Sequence, residues 1–191
     1  MAEFALRARY AEDTLAETIQ GGVRQYVVLG AGLDTFAYRQ PAWAGSLTMY
    51  EVDHPPTQLW KHELLKTAAV VIPRNLRFVP IDFEQASIPE ALSAAGLASE
   101  ARTLCSWMGV TQYLTGEALD ATFRFVLSLP PTSEIVFSFI LPSDRVRGME
   151  AEALAIAEHS AAEAGEPCLT RFHPRNSPLN SGAWDLPDSF I

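Results

Sequence analysis

The sequence predicts an α/β fold in which a mostly parallel sheet is covered by helices on both faces. Short apolar segments rich in β-branched residues alternate with amphipathic segments of helical period along most of the chain. The first apolar segment runs directly into a glycine turn, GAG at 30–32. Alternating strands and helices form βαβ units, and such units build parallel sheets.

The predicted elements follow in a regular order. A first helix is expected because Leu6, Tyr10, Leu15 and Ile19 recur close to helical spacing, and the glycines of QGG at 20–22 end it. Five strands are expected at QYVVLG, SLTMYEVD, LRFVPID, ARTLCSWMGV and EIVFSFIL. Helices are expected at PTQLWKHELLKTA, IPEALSAAG, TGEALDATFRFVLSL and GMEAEALAIAEHSAAEAG.

The chain is expected to form one domain, residues 1–174, followed by an irregular tail at 175–191. A chain of 191 residues, 48% of them hydrophobic, can bury one sizeable core. The last residues are rich in proline, asparagine and serine and show neither helical nor strand period.

Charge and cysteine content restrict the partners and the compartment. A formal net charge of −9 repels phosphate backbones and anionic bilayers, so neither nucleic acid nor a membrane is expected as a partner. Two cysteines are too few for a disulfide framework, and they lack metal-ligand spacing, so no metal site is expected. The amino-terminal residues lack the pattern of a signal peptide. A cytoplasmic location is therefore expected.

The glycine turn is the first candidate binding element. Gly30 and Gly32 follow the first strand, where a parallel sheet offers backbone N–H groups to a ligand, and glycine lets the backbone approach that ligand closely. A dinucleotide fingerprint needs a third glycine three residues after Gly32, and that position is Thr35. NAD and FAD are therefore disfavoured.

Two carboxylates follow the next two strands. Asp53 ends the second strand about 20 residues after the glycine turn, where an acid binds ribose hydroxyls. Asp82 ends the third strand and is expected at the same edge of the sheet. Together with the turn they predict a site for an adenosine-type ligand without a pyrophosphate. The alternative is that both are solvated strand ends or helix caps.

Four segments carry a family resemblance. VVLGAGLDTFAYR, YEVDHPPTQLWK, FVPIDFEQ and GVTQYLTGEAL closely resemble, in order and spacing, the leucine carboxyl methyltransferase family, and within it a bacterial branch of candidate S-adenosylmethionine-dependent O-methyltransferases. The resemblance covers about residues 5 to 172. It implies a Rossmann-like class I methyltransferase sandwich and S-adenosyl-L-methionine as the cofactor.

The resemblance also implies roles for individual residues. Gly30 would lie against the methionine part of the cofactor, and Asp53 would hold its ribose. Asp82, with the backbone of Phe83, would border the adenine.

An arginine of the first helix would bind the cofactor's carboxylate. The RARY segment offers Arg7 and Arg9, of which Arg9 is preferred. The alternative is that both belong to a solvated helix face.

The chain also departs from the family pattern. Val28 stands where most class I methyltransferases have an acid, and Met108 replaces the acid of a strand-four motif. Trp107 and Tyr113 are candidates for a pocket wall, with core packing as the alternative. Relatives are longer at both ends, so truncation is expected, with the late strands missing. The fifth strand, 134–141, would then have an open apolar edge through which the protein could self-associate.

The expected function is S-adenosylmethionine-dependent methyl transfer, with O-methylation of a carboxylate or hydroxyl of a small molecule or peptide. A carboxylate acceptor needs no base, whereas a hydroxyl acceptor would need one. His54 and His62 are the only histidines near the cofactor segments, and both are expected on the surface of the following helix, so no catalytic residue is assigned. Two alternatives stay open. One is a cofactor-binding pseudoenzyme or interaction module without turnover, and the other is a nucleotide-binding oxidoreductase, which Thr35 disfavours.

Overall fold

A computed structural model describes residues 2–163 and 165–172 of the chain. The predicted irregular tail, 175–191, lies outside the described residues.

Five strands and five α-helices alternate along these residues, as the sequence predicts. They are α1 (Ala2–Gln20), β1 (Gln25–Leu29), β2 (Thr48–Asp53), α2 (Pro55–Thr67), β3 (Leu76–Pro80), α3 (Ile88–Ala94), β4 (Thr103–Trp107), α4 (Gly116–Ser128), β5 (Glu134–Phe137) and α5 (Met149–Glu163). Short 3-10 turns lie at Phe36–Tyr38, Ala42–Ser46, Thr111–Tyr113 and Ser143–Arg145.

The strands form one sheet in the order β3-β2-β1-β4-β5, and every pair is parallel. The central strand β1 pairs on both sides, with Val27 opposite Tyr50 of β2 and opposite Cys105 of β4. Because all five strands run the same way, their carboxyl ends lie at one edge of the sheet. The predicted parallel α/β architecture is confirmed.

Alternate residues of β1 belong to two separate cores, one on each face of the sheet. Val27 and Leu29 pack with residues of α3 and α4, including Leu92 and Phe123. Tyr26, between them, packs on the opposite face with the core that contains residues of α1 and of the 3-10 turns. Successive side chains of a strand point to opposite faces, so an apolar strand of this kind must be covered on both sides.

Local sequence signals explain several helix ends. Gly22, at φ +97°, terminates α1 as the QGG pattern predicts. The Ser87 hydroxyl accepts a hydrogen bond from the Glu90 N–H at the start of α3, and the Thr115 hydroxyl accepts one from the Ala118 N–H at the start of α4. Prolines occupy the first turn of α2 and α3, where no intrahelical N–H is needed.

The fifth strand is shorter than predicted. It ends at Phe137, whereas the apolar pattern extends to 141. Beyond it, the Ser138 N–H still donates to the carbonyl of Trp107, the last residue of β4. The Ser138 hydroxyl accepts a hydrogen bond from the Gly109 N–H, and the Ser138 carbonyl accepts one from the Thr111 hydroxyl. The chain therefore leaves the ladder after Ser138, which is bound to the loop that follows β4. Among the described residues, β5 is an outer strand of the sheet.

Candidate functional site

A cavity of about 700 Å³ opens at the carboxyl-terminal edge of the sheet. Its walls come from α1, from the loops after β1, β2 and β3, and from the loop after β4. This volume lies within the usual range for small-molecule sites, and the position is where parallel sheets bind ligands. The sequence-predicted residues on its wall are Arg7, Gly30, Gly32, Asp53, Asp82 and Phe83.

The glycine turn forms the floor between β1 and β2. Gly30 has φ +65° and Gly32 φ +44°, a backbone region that residues with a Cβ rarely adopt. A Cβ on Gly30 would overlap the side chain of Val110. The Gly30 N–H donates to the Val52 carbonyl at 2.8 Å, which fixes the turn against the end of β2.

Asp53 joins the glycine turn to the start of α2. Its Oδ2 accepts a hydrogen bond from the Gly32 N–H, and its Oδ1 accepts one from the His54 N–H at 2.7 Å. Partial burial raises the pKa of Asp53, and these two backbone hydrogen bonds act in the opposite direction. Each carboxylate oxygen has two acceptor positions, so the group can still accept hydrogen bonds from a ligand.

Asp82 and Phe83 line the cavity on the loop after β3. The Asp82 carboxylate accepts hydrogen bonds from the Glu84 N–H at 2.9 Å and from the Gln85 side-chain amide at 2.7 Å. His54 Nε2 lies 3.9 Å from Asp82 Oδ2, so the loops after β2 and β3 meet at this end of the cavity.

The structure separates the two candidate arginines of α1. Arg7 lines the cavity, with a guanidinium nitrogen 3.4 Å from the position that a Cβ on Gly109 would occupy. Arg9 does not line it; its Nε donates to Asp13 Oδ2 at 2.8 Å, and its side chain is 74% exposed. The residue preferred from the sequence is therefore outside the cavity, and the other candidate is inside.

An ion pair between Glu12 and Arg39 ties α1 to the loop after β1. The two terminal guanidinium nitrogens of Arg39 donate to the two oxygens of Glu12, Nη1 at 3.0 Å. The third nitrogen, Nε, donates to the Thr35 hydroxyl at 3.0 Å. Both charged residues line the cavity. Arg39 is the last residue of the family motif VVLGAGLDTFAYR, but the sequence alone predicts no role for it. Glu12 has no local signal in the sequence, because its partner lies 27 positions away.

Three further polar residues lie at the base of the cavity: Tyr26, Asp34 and Ser106. The sequence predicts no role for any of them. The buried hydroxyl of Tyr26 donates to Ser106 Oγ at 2.9 Å. Asp34 accepts the Phe36 N–H at 2.8 Å, and burial raises its pKa. Asp34 lies two residues after Gly32 within the family motif, and that position is the signal that could have pointed to it.

The structure shows where the residues that depart from the family pattern lie, and where the two candidate wall aromatics lie. Val28 and Met108 both line the cavity and bring no charge to it. Tyr113 lines it as well. Trp107 does not: it is fully buried and packs edge-on against Phe123 in the core. Of the two candidate wall aromatics, the structure brings only Tyr113 to the cavity.

Negative charge dominates the cavity wall. Five carboxylates line it against two guanidinium groups: Glu12, Asp34, Asp53, Asp82 and Glu166 against Arg7 and Arg39. An excess of carboxylates favours a ligand that carries positive charge. Within residues 2–163 and 165–172, no group of three or more histidine, cysteine, aspartate or glutamate residues is placed to hold a metal ion. In the same ranges, no helix has the length and apolarity needed to cross a bilayer.

The chain is similar to curated and solved proteins that share this architecture. It is 38% identical over 170 residues to YktD of Bacillus subtilis (strain 168), a protein named as a candidate S-adenosyl-L-methionine-dependent methyltransferase; the match covers 87% of this chain and 55% of the relative. The chain spans about half the length of the curated relatives it matches.

Two crystal structures share the fold. A DUF574 family protein from Streptomyces avermitilis superposes with a TM-score of 0.60 at 19% identity, covering 87% of this chain and 64% of that one. A protein from Thermobifida fusca, titled as a candidate methyltransferase, superposes with a TM-score of 0.57 at 16% identity, covering 83% of this chain and 60% of that one. The fold is that of class I methyltransferases.

Residues 1–127 match the leucine carboxyl methyltransferase family. This match includes the glycine turn, Asp53, Asp82 and the strand-four segment that shape the cavity. The resemblance inferred from the sequence is confirmed: the chain belongs to the leucine carboxyl methyltransferase family.

Proposed function

We propose that the protein binds S-adenosyl-L-methionine in this cavity and transfers its methyl group to an oxygen atom of a carboxylate or hydroxyl on a small molecule or peptide. The observation that supports this most strongly is the convergence of three strand ends on one cavity. They bring the turn at 30–32, the Asp53 carboxylate and the Asp82 loop to a single wall. Relatives named as candidate methyltransferases of this cofactor add to the support.

The adenosine part of the cofactor fits the side of the cavity formed by β2 and β3. Asp53 would accept hydrogen bonds from the two ribose hydroxyls through acceptor positions that its backbone partners leave available. Asp82 and the backbone of Phe83 would border the adenine ring. Fixed hydrogen bonds to the Asp82 carboxylate keep that loop in place before the ligand arrives.

The methionine part fits the side formed by β1 and α1. Gly30 would let this part approach the backbone, since Val110 already fills the space in which a side chain would stand. Arg7 would bind the cofactor's carboxylate, because it reaches the cavity, whereas Arg9 points away and pairs with Asp13. The excess of carboxylates would complement a cationic sulfonium ligand.

Methyl transfer depends mainly on the alignment of the acceptor oxygen with the methyl group. When bound, S-adenosyl-L-methionine would supply the methyl group, whose bond to sulfur would break as the bond to the acceptor oxygen forms. The protein's task is to hold the acceptor in line with that bond, and such positioning is worth about 7 to 11 kcal/mol in the best intramolecular cases. An ionised carboxylate acceptor needs no base. A hydroxyl acceptor would have to lose its proton to a base or to water as the new bond forms, and we assign no residue to that role. Tyr113 and Met108 form the wall beside the β4 loop, where an acceptor would enter.

The remaining partner and compartment assignments stay predictions. They include a cytoplasmic location, which the two unpaired thiols fit, the absence of nucleic-acid and membrane partners, and self-association through β5.

Equilibrium binding tests the proposal. Purified protein is titrated separately with S-adenosylhomocysteine and with NADH, and methyl incorporation from labelled S-adenosylmethionine is measured with carboxylate and hydroxyl acceptors. The expected result is saturable binding of S-adenosylhomocysteine and none of NADH. Binding of NADH alone would favour the oxidoreductase alternative. Cofactor binding without transfer to any acceptor would favour the pseudoenzyme alternative.

A further inference from the structure

One face of α1 presents a cation and an anion to the cavity with only small residues between them. Arg7, Ala8, Ala11 and Glu12 all line the cavity, and they form a single stripe of the helix. Arg7 and Glu12 are five residues apart, a rise of about 7.5 Å along the helix axis, and both line the same cavity. A zwitterion whose two charged groups share one carbon atom could therefore meet a cation and an anion of the same helix, each through a hydrogen bond of about 2.8 Å.

Glu12 is fixed in place from the side of the glycine turn. Its carboxylate is 19% exposed and is held by the guanidinium of Arg39, which the Thr35 hydroxyl orients. Its charge acts on the buried Tyr26 and Asp34 at the cavity base. A carboxylate held on one side by an arginine retains acceptor positions on the other. Glu12 is therefore a preorganised anion at the α1 end of the cavity.

The wall beside β4 carries no charge on the segment that ends and follows that strand. The residues that line the cavity there are Ser106, Met108, Gly109, Val110, Tyr113 and Leu114. Glu166, beyond α5, is a further carboxylate on the wall, and it lies outside the α1 stripe. On α1 and in the loop after β1, the lining carboxylates are Glu12 and Asp34.

We propose that the α1 stripe binds the amino-acid end of the cofactor as a zwitterion, with Glu12 accepting hydrogen bonds from its α-ammonium group. This inference rests on the proposed function and assigns a binding role to a residue that the sequence did not single out. The two alanines let the α-carbon approach the helix, and the Glu12–Arg39 pair keeps α1 against the glycine turn.

Asp34 is the competing carboxylate. It lines the same cavity, and one of its oxygens accepts the Phe36 N–H at 2.8 Å within its own turn. It belongs to the loop after β1, whereas Glu12 lies on the same helix as Arg7. We therefore assign the ammonium to Glu12, and the Asp34→Asn variant tests the alternative.

The test compares two ligands that differ by one group. S-adenosylhomocysteine and its deamino analogue, in which hydrogen replaces the α-ammonium, are titrated calorimetrically into wild type, Glu12→Gln, Arg39→Gln and Asp34→Asn. Wild type is expected to prefer S-adenosylhomocysteine by about tenfold or more, as for a charge-assisted hydrogen bond. Glu12→Gln is expected to reduce this preference to about twofold, with little change in affinity for the deamino analogue.

The other variants distinguish the explanations. Arg39→Gln breaks the same ion pair but keeps the Glu12 carboxylate, so it is expected to retain the preference for S-adenosylhomocysteine. An equal loss of preference in Arg39→Gln would mean that the pair acts only by positioning α1, and would overturn the inference. Loss of the preference for S-adenosylhomocysteine in Asp34→Asn alone would mean that Asp34 binds the ammonium group, and would also overturn the inference. Wild type that binds neither ligand would overturn the proposed function itself.

Discussion

The Lys61 ammonium lies 2.6 Å from Oε2 of Glu51, and both side chains are almost completely buried, at 5% and 2% exposure. The Tyr38 hydroxyl donates to the same oxygen at 3.1 Å, and the Gln58 amide donates to the Glu51 carbonyl at 3.0 Å. Glu51 belongs to β2 and Lys61 to α2, and the segment between them contains Asp53. The pair therefore anchors α2 to the strand that carries the proposed ribose-binding carboxylate.

Lys61→Met is expected to destabilise the protein by about 3 to 5 kcal/mol, because it leaves a buried carboxylate without its counter-charge. Denaturation by urea at pH 8 measures the loss. Lys66→Met, on the exposed side of the same helix, is the matched control and should change stability by less than about 0.5 kcal/mol. Equal stability of the two variants would contradict a structural role for the pair.

The loss of stability in Lys61→Met is expected to depend on pH. Burial raises the pKa of Glu51 above its ordinary value of 4.5, and Lys61 opposes that rise, so removing Lys61 raises the pKa further. A folded-state pKa above the unfolded value gives stability that is present below about pH 4.5 and is lost as pH rises through the folded pKa. The difference between Lys61→Met and Lys66→Met should therefore shrink at acid pH. If the stability difference between the two variants stays constant from pH 5 to pH 8, the pKa of Glu51 is not the cause of the destabilisation.

Gly30→Ala is expected to abolish cofactor binding and to lower stability by about 1 to 3 kcal/mol. The new Cβ would need φ +65° and would overlap Val110. Gly45→Ala is the control, since open space surrounds Gly45. Calorimetric titration and thermal unfolding of both variants check this, and a Gly30→Ala protein with unchanged affinity would show that the turn tolerates a side chain.

Glu84→Ala is expected to weaken cofactor binding several-fold and to reduce stability by about 1 kcal/mol. The Glu84 carboxylate accepts hydrogen bonds from the Thr115 N–H at 2.9 Å and from its hydroxyl at 2.7 Å, which ties the Asp82 loop to the start of α4. Glu117→Ala, in the first turn of the same helix, is the control. If Glu84→Ala and Glu117→Ala bind the cofactor with equal affinity, Glu84 does not help to position the Asp82 loop for binding.

The two thiols are expected to differ strongly in reactivity. Cys105 is fully buried in β4, and burial raises its pKa to about 12, so a thiol reagent should modify it only after global unfolding. Cys168 is partly exposed and should react in the folded protein. Labelling with mass-spectrometric identification at increasing urea concentrations checks this. Modification of Cys105 in native buffer would mean that the sheet opens locally.

Much of the fold could be predicted because hydrophobic period and turn chemistry are local. The glycine stop after α1 and the alternation of five strands with helices are examples. The end of β5 could not be predicted, because Phe139 and Ile140 continue the apolar pattern. Their backbone leaves the ladder after Ser138, whose hydroxyl and carbonyl accept hydrogen bonds from Gly109 and Thr111, residues distant in sequence.

The site was predictable where it follows strand ends. Asp53 and Asp82 reach the cavity because the carboxyl ends of parallel strands share one edge. The choice between Arg7 and Arg9 was not predictable, since two residues along a helix differ by about 200° in direction, and only the packing of α1 decides which one faces the sheet. The Glu12–Arg39 pair joins residues 27 positions apart and has no local signature.

Calorimetric titration of S-adenosylhomocysteine into wild type and Asp53→Ala tests the central claim most directly. Asp53 joins the glycine turn to α2, and its removal would forfeit two charge-assisted hydrogen bonds to the ribose, each worth about 1.5 to 3 kcal/mol. Asp13→Ala, which removes an exposed carboxylate outside the cavity, is the control, and thermal unfolding without ligand verifies that both variants are folded. The account predicts tight binding by wild type and Asp13→Ala and a loss of at least about a hundredfold in Asp53→Ala. Equal affinity in all three proteins would contradict it.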